Sequence, residues 1–355
     1  MKRSKLLIWW VDDEPGRLRD LARQRIKDGA RKLKAPPAEV DPILLKTQED
    51  RVQFERRLID QSRSRSGPPS LIVLDQVLNG VATDGLELQG SSLAVSIRAT
   101  APSVPVVGVT AVEIPGIPGL QREHFIELFR LDDLQSGARV PDLYAIIDGF
   151  AALSAGRSGR SIGGGQNDRV RLIERWFKCP AEDRDLLVSC LPGDFVGSWD
   201  KETPHVFARW VWHTLLGRPG FLYDDLEVAT LLGLSQRGLP RLLHTLDGCS
   251  YDGVFASVAR RRWWLSRVRH AVRGAAGAPV TEPLWKLGRK LLGACPAADF
   301  SRCHGRPDSD CVPDVVAFED DLQRDRVQAL SEDTRPLETD TPPPGFEKRL
   351  VFARR

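Results

Sequence analysis

Three carboxylates and one hydroxyl stand where this chain could do chemistry. Asp75 closes the aliphatic run Leu71-Ile72-Val73-Leu74, Asp12 and Asp13 close the run from Leu6 to Val11, and Thr110 follows the run Val104 to Val109. A single aspartate after an apolar run is more often a turn former or helix cap. Three such ends, carrying Asp-Asp, Asp and Thr, form a constellation. Carboxylates gathered in one crevice repel one another and require a hard cation, and Mg²⁺ suits carboxylate oxygens together with phosphate. Phosphoryl transfer asks mainly for positioning and neutralisation of charge, which such a centre supplies.

The elements that must position these groups are short, continuously apolar segments bounded by turn signals. That pattern predicts strands buried on both faces, as in a parallel sheet. Ligands of open α/β sheets lie at the carboxyl ends of the strands, where all four groups fall. Between the strands, Glu14 to Ile26 and Glu49 to Gln61 carry apolar residues at helical spacing, and Pro15 suits a first helical turn. Ile43-Leu44-Leu45 is the expected second strand, Phe125 to Phe129 the fifth and Pro141 to Leu153 the closing helix. Gly80 to Gly90 is expected as a Gly-rich loop over the site, followed by a helix over Ser91 to Ala99.

Val11-Asp12-Asp13-Glu14-Pro15, Leu71-Ile72-Val73-Leu74-Asp75 and Val106-Val107-Gly108-Val109-Thr110-Ala111, in that order, resemble the receiver domain of two-component response regulators. The resemblance covers roughly residues 5–155. It implies a flavodoxin-like, five-stranded parallel sheet, with Asp75 as phospho-acceptor, Asp12, Asp13 and Asp75 as Mg²⁺ ligands and Thr110 as the switch residue. The lysine that the family carries after its fifth strand is missing from Leu128-Phe129-Arg130-Leu131-Asp132, and Arg130 is the expected stand-in. The breakers in Glu113-Ile114-Pro115-Gly116-Ile117-Pro118-Gly119 predict a short or distorted fourth helix, on the face through which receivers signal.

The chain has 355 residues, 41% of them hydrophobic, and a net charge of +3. Length predicts two or three domains, and the modest charge excludes a uniformly basic nucleic-acid binder. Six cysteines are too few for a disulfide scaffold and predict a reducing, cytoplasmic setting. No apolar run is long enough for a membrane span, and the basic Met1–Lys5 start does not read as a signal peptide. The expected organisation is a receiver-like domain over 1–155, a Gly/Ser-rich linker over 156–167, a helical domain over 168–275 and an extension over 276–355.

Within the second half, Leu226 to Leu243 resembles a helix-turn-helix, with Ala229 inside the first helix and Gly233 at the turn. On that reading Gln236, Arg237 and Arg241 would face the major groove of DNA. A helical hairpin of a protein-interaction domain gives the same pattern, and Gly238 and Pro240 fall inside the would-be recognition helix, where an interior proline costs about 3 kcal/mol. Trp263-Trp264 fits a core pair better than a base-stacking platform, and His205 and His213 read as structural histidines. Cys295, Cys303, His304 and Cys311 form a valid Zn²⁺ donor set, though their spacing matches no CxxC pair and Cys303 and His304 are adjacent. Separate buried or free cysteines are the other reading. Glu319 to Thr341 is expected as an extended arm, with a terminal strand over Phe346 to Arg355.

The functional expectation is a response regulator without catalytic activity of its own. A histidine kinase or phosphotransfer protein would phosphorylate Asp75, and a helical output domain would contact DNA or a protein effector. The alternative is a degenerate receiver acting as an adaptor or phosphate sink in a multi-component system, for example a phage-defence one, without DNA binding. Both readings leave oligomerisation open.

Overall fold

The computed structural model describes residues 5–14, 16–64, 66–83, 86–114, 117, 119–155, 166–192, 203–217, 220–257, 261–296, 299–300, 315–319, 329–331 and 346–347. The chain divides into two compact units. The first holds residues 1–172, 190–212 and 253–259, and the second holds 173–189, 213–252 and 260–355. Segments that follow the expected linker therefore fold with the first unit.

The first unit opens with β1 (Leu6–Asp12), α1 (Arg17–Lys32), β2 (Ala38–Leu44), α2 (Gln48–Arg63) and β3 (Leu71–Asp75). A pair of strands, β4 (Val77–Thr83) and β5 (Leu86–Gln89), leads into α3 (Gly90–Thr100) and β6 (Val106–Thr110). The short helix α4 (Gly119–Arg122), β7 (Leu128–Arg130), α5 (Leu131–Ser136) and α6 (Val140–Ala155) complete it. β1, β2, β3, β6 and β7 form a five-stranded sheet in the order β2-β1-β3-β6-β7, with every pairing parallel. This is the flavodoxin-like order, and its ligand crevice lies at the switch point between β1 and β3.

The apolar runs behave as strands buried on both faces require. Trp9, Val11, Ile72, Leu74 and Val106 point into one core with Phe54, Leu58, Leu93 and Ile97 of α2 and α3. Their sequence neighbours Ile8, Trp10, Val73 and Val107 are equally buried. Successive strand residues point to opposite faces, so this second set serves the other side of the sheet. On α1, Ala22, Ile26 and Ala30 are buried at near-helical spacing, and the Tyr144 hydroxyl of α6 donates to the Ile26 carbonyl at 2.8 Å. The capping box of Thr47 and Asp50 starts α2.

Three boundaries differ from the sequence expectation. β2 begins at Ala38 and ends at Leu44, β7 runs from Leu128 to Arg130 rather than over Phe125 to Phe129, and α1 continues to Lys32. The expected Gly-rich loop over 80–90 is instead largely an antiparallel hairpin, pairing Val77 with Gln89 and Leu78 with Leu88. Its glycine and polar composition masks the extended pairing. The fourth helix is short as expected, at four residues.

Residues 190–212 and 253–259 add to this first unit. α7 (Gln166–Phe177), α8 (Arg184–Ser189) and α9 (Thr203–Trp210) follow in the chain. On α9, Arg209 donates to the carbonyls of Arg122 at 2.8 Å and Phe125 at 3.0 Å, and the buried His205 ring lies 5.0 Å from Phe150. The Trp212 indole donates to Glu127 Oε2 at 2.7 Å, while Phe255 meets Trp212 edge-on and closes against Gly149.

The second unit is largely helical. It contains the two-stranded pair β8 (Leu222–Tyr223) and β9 (Trp263–Trp264), then α10 (Asp225–Leu231), α11 (Leu265–Ala276) and α12 (Leu284–Leu292). β10 (Val315–Glu319), β11 (Ala329–Ser331) and β12 (Phe346–Glu347) make a three-stranded antiparallel sheet. Val228, Ala229, Leu232, Leu239, Leu242, Val268 and Leu287 share a core among the helices of this unit. Trp263 and Trp264 are buried, as the core reading expected, and Trp263 also donates to Asp225 Oδ1 at 2.6 Å. No helix among the described residues is long and apolar enough to cross a membrane.

Candidate functional site

The site forms where β1, β3 and β6 end. Val11 pairs with Leu74, so Asp12 and Asp75 follow as neighbours on adjacent strands. Asp75 pairs with Val109, which sets Thr110 one residue beyond it on the other side. Asp12, Asp13 and Asp75 are buried, and one ligand oxygen from each lies within 4.8 Å of the others, the one such group among the described residues. Three hard oxygen donors at this spacing fit a divalent cation of the Mg²⁺ or Ca²⁺ type.

Local hydrogen bonds fix the carboxylates. Asp12 accepts from the Glu14 amide at 3.0 Å and from the Trp10 indole at 3.2 Å. Asp75 Oδ1 accepts from the Val77 amide at 3.4 Å, and the Gly90 amide donates to the Gln76 carbonyl at 2.8 Å. A Cβ on Gly90 would lie 2.0 Å from the Asp75 carbonyl oxygen, so only glycine lets α3 start this close to Asp75. Thr110 is buried, and its Oγ1 accepts from the Val112 amide at 3.2 Å, which orients the hydroxyl at the strand end.

A residue that the sequence reading passed over enters this cluster. Arg19, in the first turn of α1, forms an ion pair from Nε to Asp12 Oδ2 and another from Nη2 to Asp75 Oδ2 at 2.7 Å. Its Nη1 lies 3.3 Å from the exposed carboxylate of Glu14. The guanidinium thus bridges two of the three carboxylates. The first turn of a helix favours anions over cations. A basic residue there, just after an Asp pair, was the available signal.

Electrostatics follow the burial. Desolvation, with the nearby charge of Asp12, pushes Asp75 up to about 6, and Arg19 only partly offsets it. Asp12 is raised too, chiefly by burial. Burial works to lower the Arg19 pKa, yet its hydrogen bond to Asp75 and the two carboxylate charges raise it on balance.

The other expected site residues that the structure describes make different contacts. Arg130 engages Glu113 at 2.8 Å and Asp132 at 3.2 Å rather than Asp75, because both carboxylates stand beside the strand end. The recognition helix expected after Gly233 does not form. Gly233 turns at a φ of +69°, Gln236 and Arg237 are exposed in a turn, and Leu239–Leu242 is a four-residue 3-10 segment with Pro240 inside it. Arg241 is paired with Asp299 at 3.2 Å and reaches Cys295 Sγ. Of the expected zinc donors, Cys303, His304 and Cys311 lie outside the described residues.

No protein-family model matches the chain, and no curated protein matches it. Among solved structures, the chain is similar to a response regulator protein from Burkholderia pseudomallei with a phosphorylated aspartic acid, calcium ion and citrate. That likeness has 9% identity and a TM-score of 0.26, over 48% of this chain and 84% of the other. The assignment of the fold rests on the strand order and pairing above.

Proposed function

We propose that the first unit is a receiver-type phospho-acceptor and that Asp75 is its acceptor. The observation that carries this reading is the burial of Asp12, Asp13 and Asp75 together at the switch point of the β2-β1-β3-β6-β7 sheet. A divalent cation, Mg²⁺ in the cell, would be held by these three carboxylates and supply the charge that lets an anionic phosphoryl donor approach. An Asp75 carboxylate oxygen forms the new O–P bond, and the N–P bond of a phosphohistidine donor breaks. The electron pair of that bond stays on the imidazole nitrogen. Thr110 supplies a hydroxyl at the neighbouring strand end for the phosphoryl oxygens.

The phosphoryl donor is a histidine kinase or phosphotransfer protein of the cytoplasm, and the chain receives the group rather than catalysing a turnover of its own. Acetyl phosphate with Mg²⁺ tests the assignment: wild type should take up label and Asp75→Ala should not. Equal labelling of the two would remove Asp75 as acceptor.

For the output, the second unit favours a protein effector over DNA. A four-residue 3-10 segment replaces the recognition helix, and Arg241 is already paired with Asp299. The reading is therefore a phosphorylatable adaptor or phosphate sink. Sequence-dependent retention of DNA by the intact chain would restore the transcriptional alternative.

A further inference from the structure

The acidic cluster carries its own cation. Arg19 Nε pairs with Asp12 Oδ2, and Arg19 Nη2 lies 2.7 Å from Asp75 Oδ2. Arg19 is mostly buried, with 18% of its side chain accessible, and the two carboxylates are more buried still at 4% and 11%. A guanidinium held between two such groups is a strong, geometrically specific neutraliser. Nothing in the helix itself favours it there, because the first turn of α1 already presents positive partial charge. Arg130, the other cation near the strand ends, engages Glu113 and Asp132.

The geometry points to Arg19 as a tethered counter-ion that takes the place of the divalent cation and must be released before that cation binds. This rests on the reading of Asp12, Asp13 and Asp75 as metal ligands. The competition is for specific atoms, since any ion that takes Asp12 Oδ2 or Asp75 Oδ2 takes it from Arg19. The released guanidinium retains an anionic neighbour. Glu14 Oε2 lies 3.3 Å from Nη1, and that side chain is 67% accessible, so Arg19 spans a buried pair and a solvent-facing partner. The affinity for divalent cations is then set by the loss of the Arg19 pairs as much as by the carboxylates. Phosphorylation of Asp75 then needs a higher divalent-ion concentration than it would in a cluster without Arg19.

The test is a Mn²⁺ titration of the full chain, followed by the electron paramagnetic resonance signal of the unbound ion. It compares wild type, Arg19→Gln and Arg19→Met, the last retaining an aliphatic stem should the first fail to fold. Removal of the guanidinium should tighten Mn²⁺ binding at least tenfold. It should also lower the melting temperature in EDTA, with a larger recovery on adding Mg²⁺ than wild type shows. Binding by wild type with no tightening in either variant overturns the counter-ion role while the metal site stands. No Mn²⁺ bound by any of the three overturns the metal site and the counter-ion role together.

Discussion

Arg19 Nη2 lies 2.7 Å from Asp75 Oδ2, so this strand-end carboxylate is held by a guanidinium from the first turn of α1. That pairing does not cancel the electrostatic strain of the site. Burial and Asp12 still push Asp75 up to about 6. Asp75, Asp12 and Arg19 form one electrostatically coupled group, and several measurements should expose the coupling.

Asp75 should destabilise the metal-free protein above pH 6. Its folded pKa, about 6, lies above the ordinary carboxylate value. The folded state therefore holds the proton more tightly, and this stabilising contribution is complete below the unfolded pKa and lost as pH rises through about 6. Asp75→Asn should raise stability at pH 7.5 in EDTA by roughly 1–3 kcal/mol, and the variant should lose more stability than wild type between pH 7.5 and pH 5 because it lacks the gain that Asp75 makes on protonation. Thermal denaturation at pH 5 and pH 7.5 measures both. Unchanged melting at pH 7.5 would remove the electrostatic account.

Gly90→Ala should disturb Asp75 without touching its side chain. The added Cβ falls 2.0 Å from the Asp75 carbonyl oxygen, a backbone atom that cannot turn aside. Overpacking of this kind costs about 1–3 kcal/mol or more. Denaturant midpoints should report the loss, and acetyl phosphate labelling of Asp75 should fall with it. A variant of wild-type stability would show that α3 can shift away from the strand end.

His205 should make the first unit acid-sensitive. Burial, with the nearby charge of Arg98, pushes its pKa down to about 3. A base held neutral in the folded state and protonated in the unfolded one contributes stability that is lost as pH falls below about 6.5. The loss approaches about 1.4 kcal/mol per pH unit in that window. His205→Phe should keep the contact with Phe150 and move the acid unfolding midpoint to lower pH. An unmoved midpoint would mean that other groups dominate acid unfolding.

Arg209→Ala should weaken the first unit by roughly 1–3 kcal/mol, because it strips donors from the carbonyls of Arg122 and Phe125. Chemical denaturation followed by tryptophan fluorescence measures this, and no loss would mean that solvent satisfies both carbonyls.

Arg237→Ala/Arg241→Ala should leave retention of genomic DNA fragments at low salt unchanged. Arg237 stands on a turn, and Arg241 belongs to an ion pair with Asp299. A drop in retention, steepened by salt, would support nucleic-acid contact through these residues.

The sheet and the acidic ends were legible because burial on both faces demands unbroken apolar runs, and Leu71–Asp75 is one. Arg19 was not, since a lone arginine in an amphipathic helix reads as a solvated residue until its partners are known. The β4–β5 hairpin was hidden by Asn79, Gly80 and Gly85, which score as loop formers. The turn at Gly233 forms where the sequence placed it, and Leu234, Leu239 and Leu242 pack in the core, yet the segment Leu239–Leu242 winds as a 3-10 turn with Pro240 in its first positions rather than as a recognition helix. The return of 190–212 and 253–259 to the first unit could not be read, because no local pattern records which distant surface a helix will cover.

That return has a practical meaning. Phe150, Gly149 and the carbonyls of Arg122 and Phe125 are finished by His205, Phe255 and Arg209, residues that come 50 or more positions later. Excising the first 155 residues would strip away their cover and leave raw apolar surface. The half that bears the parallel sheet is thus no detachable cassette, and any study of its chemistry has to start from the whole polypeptide.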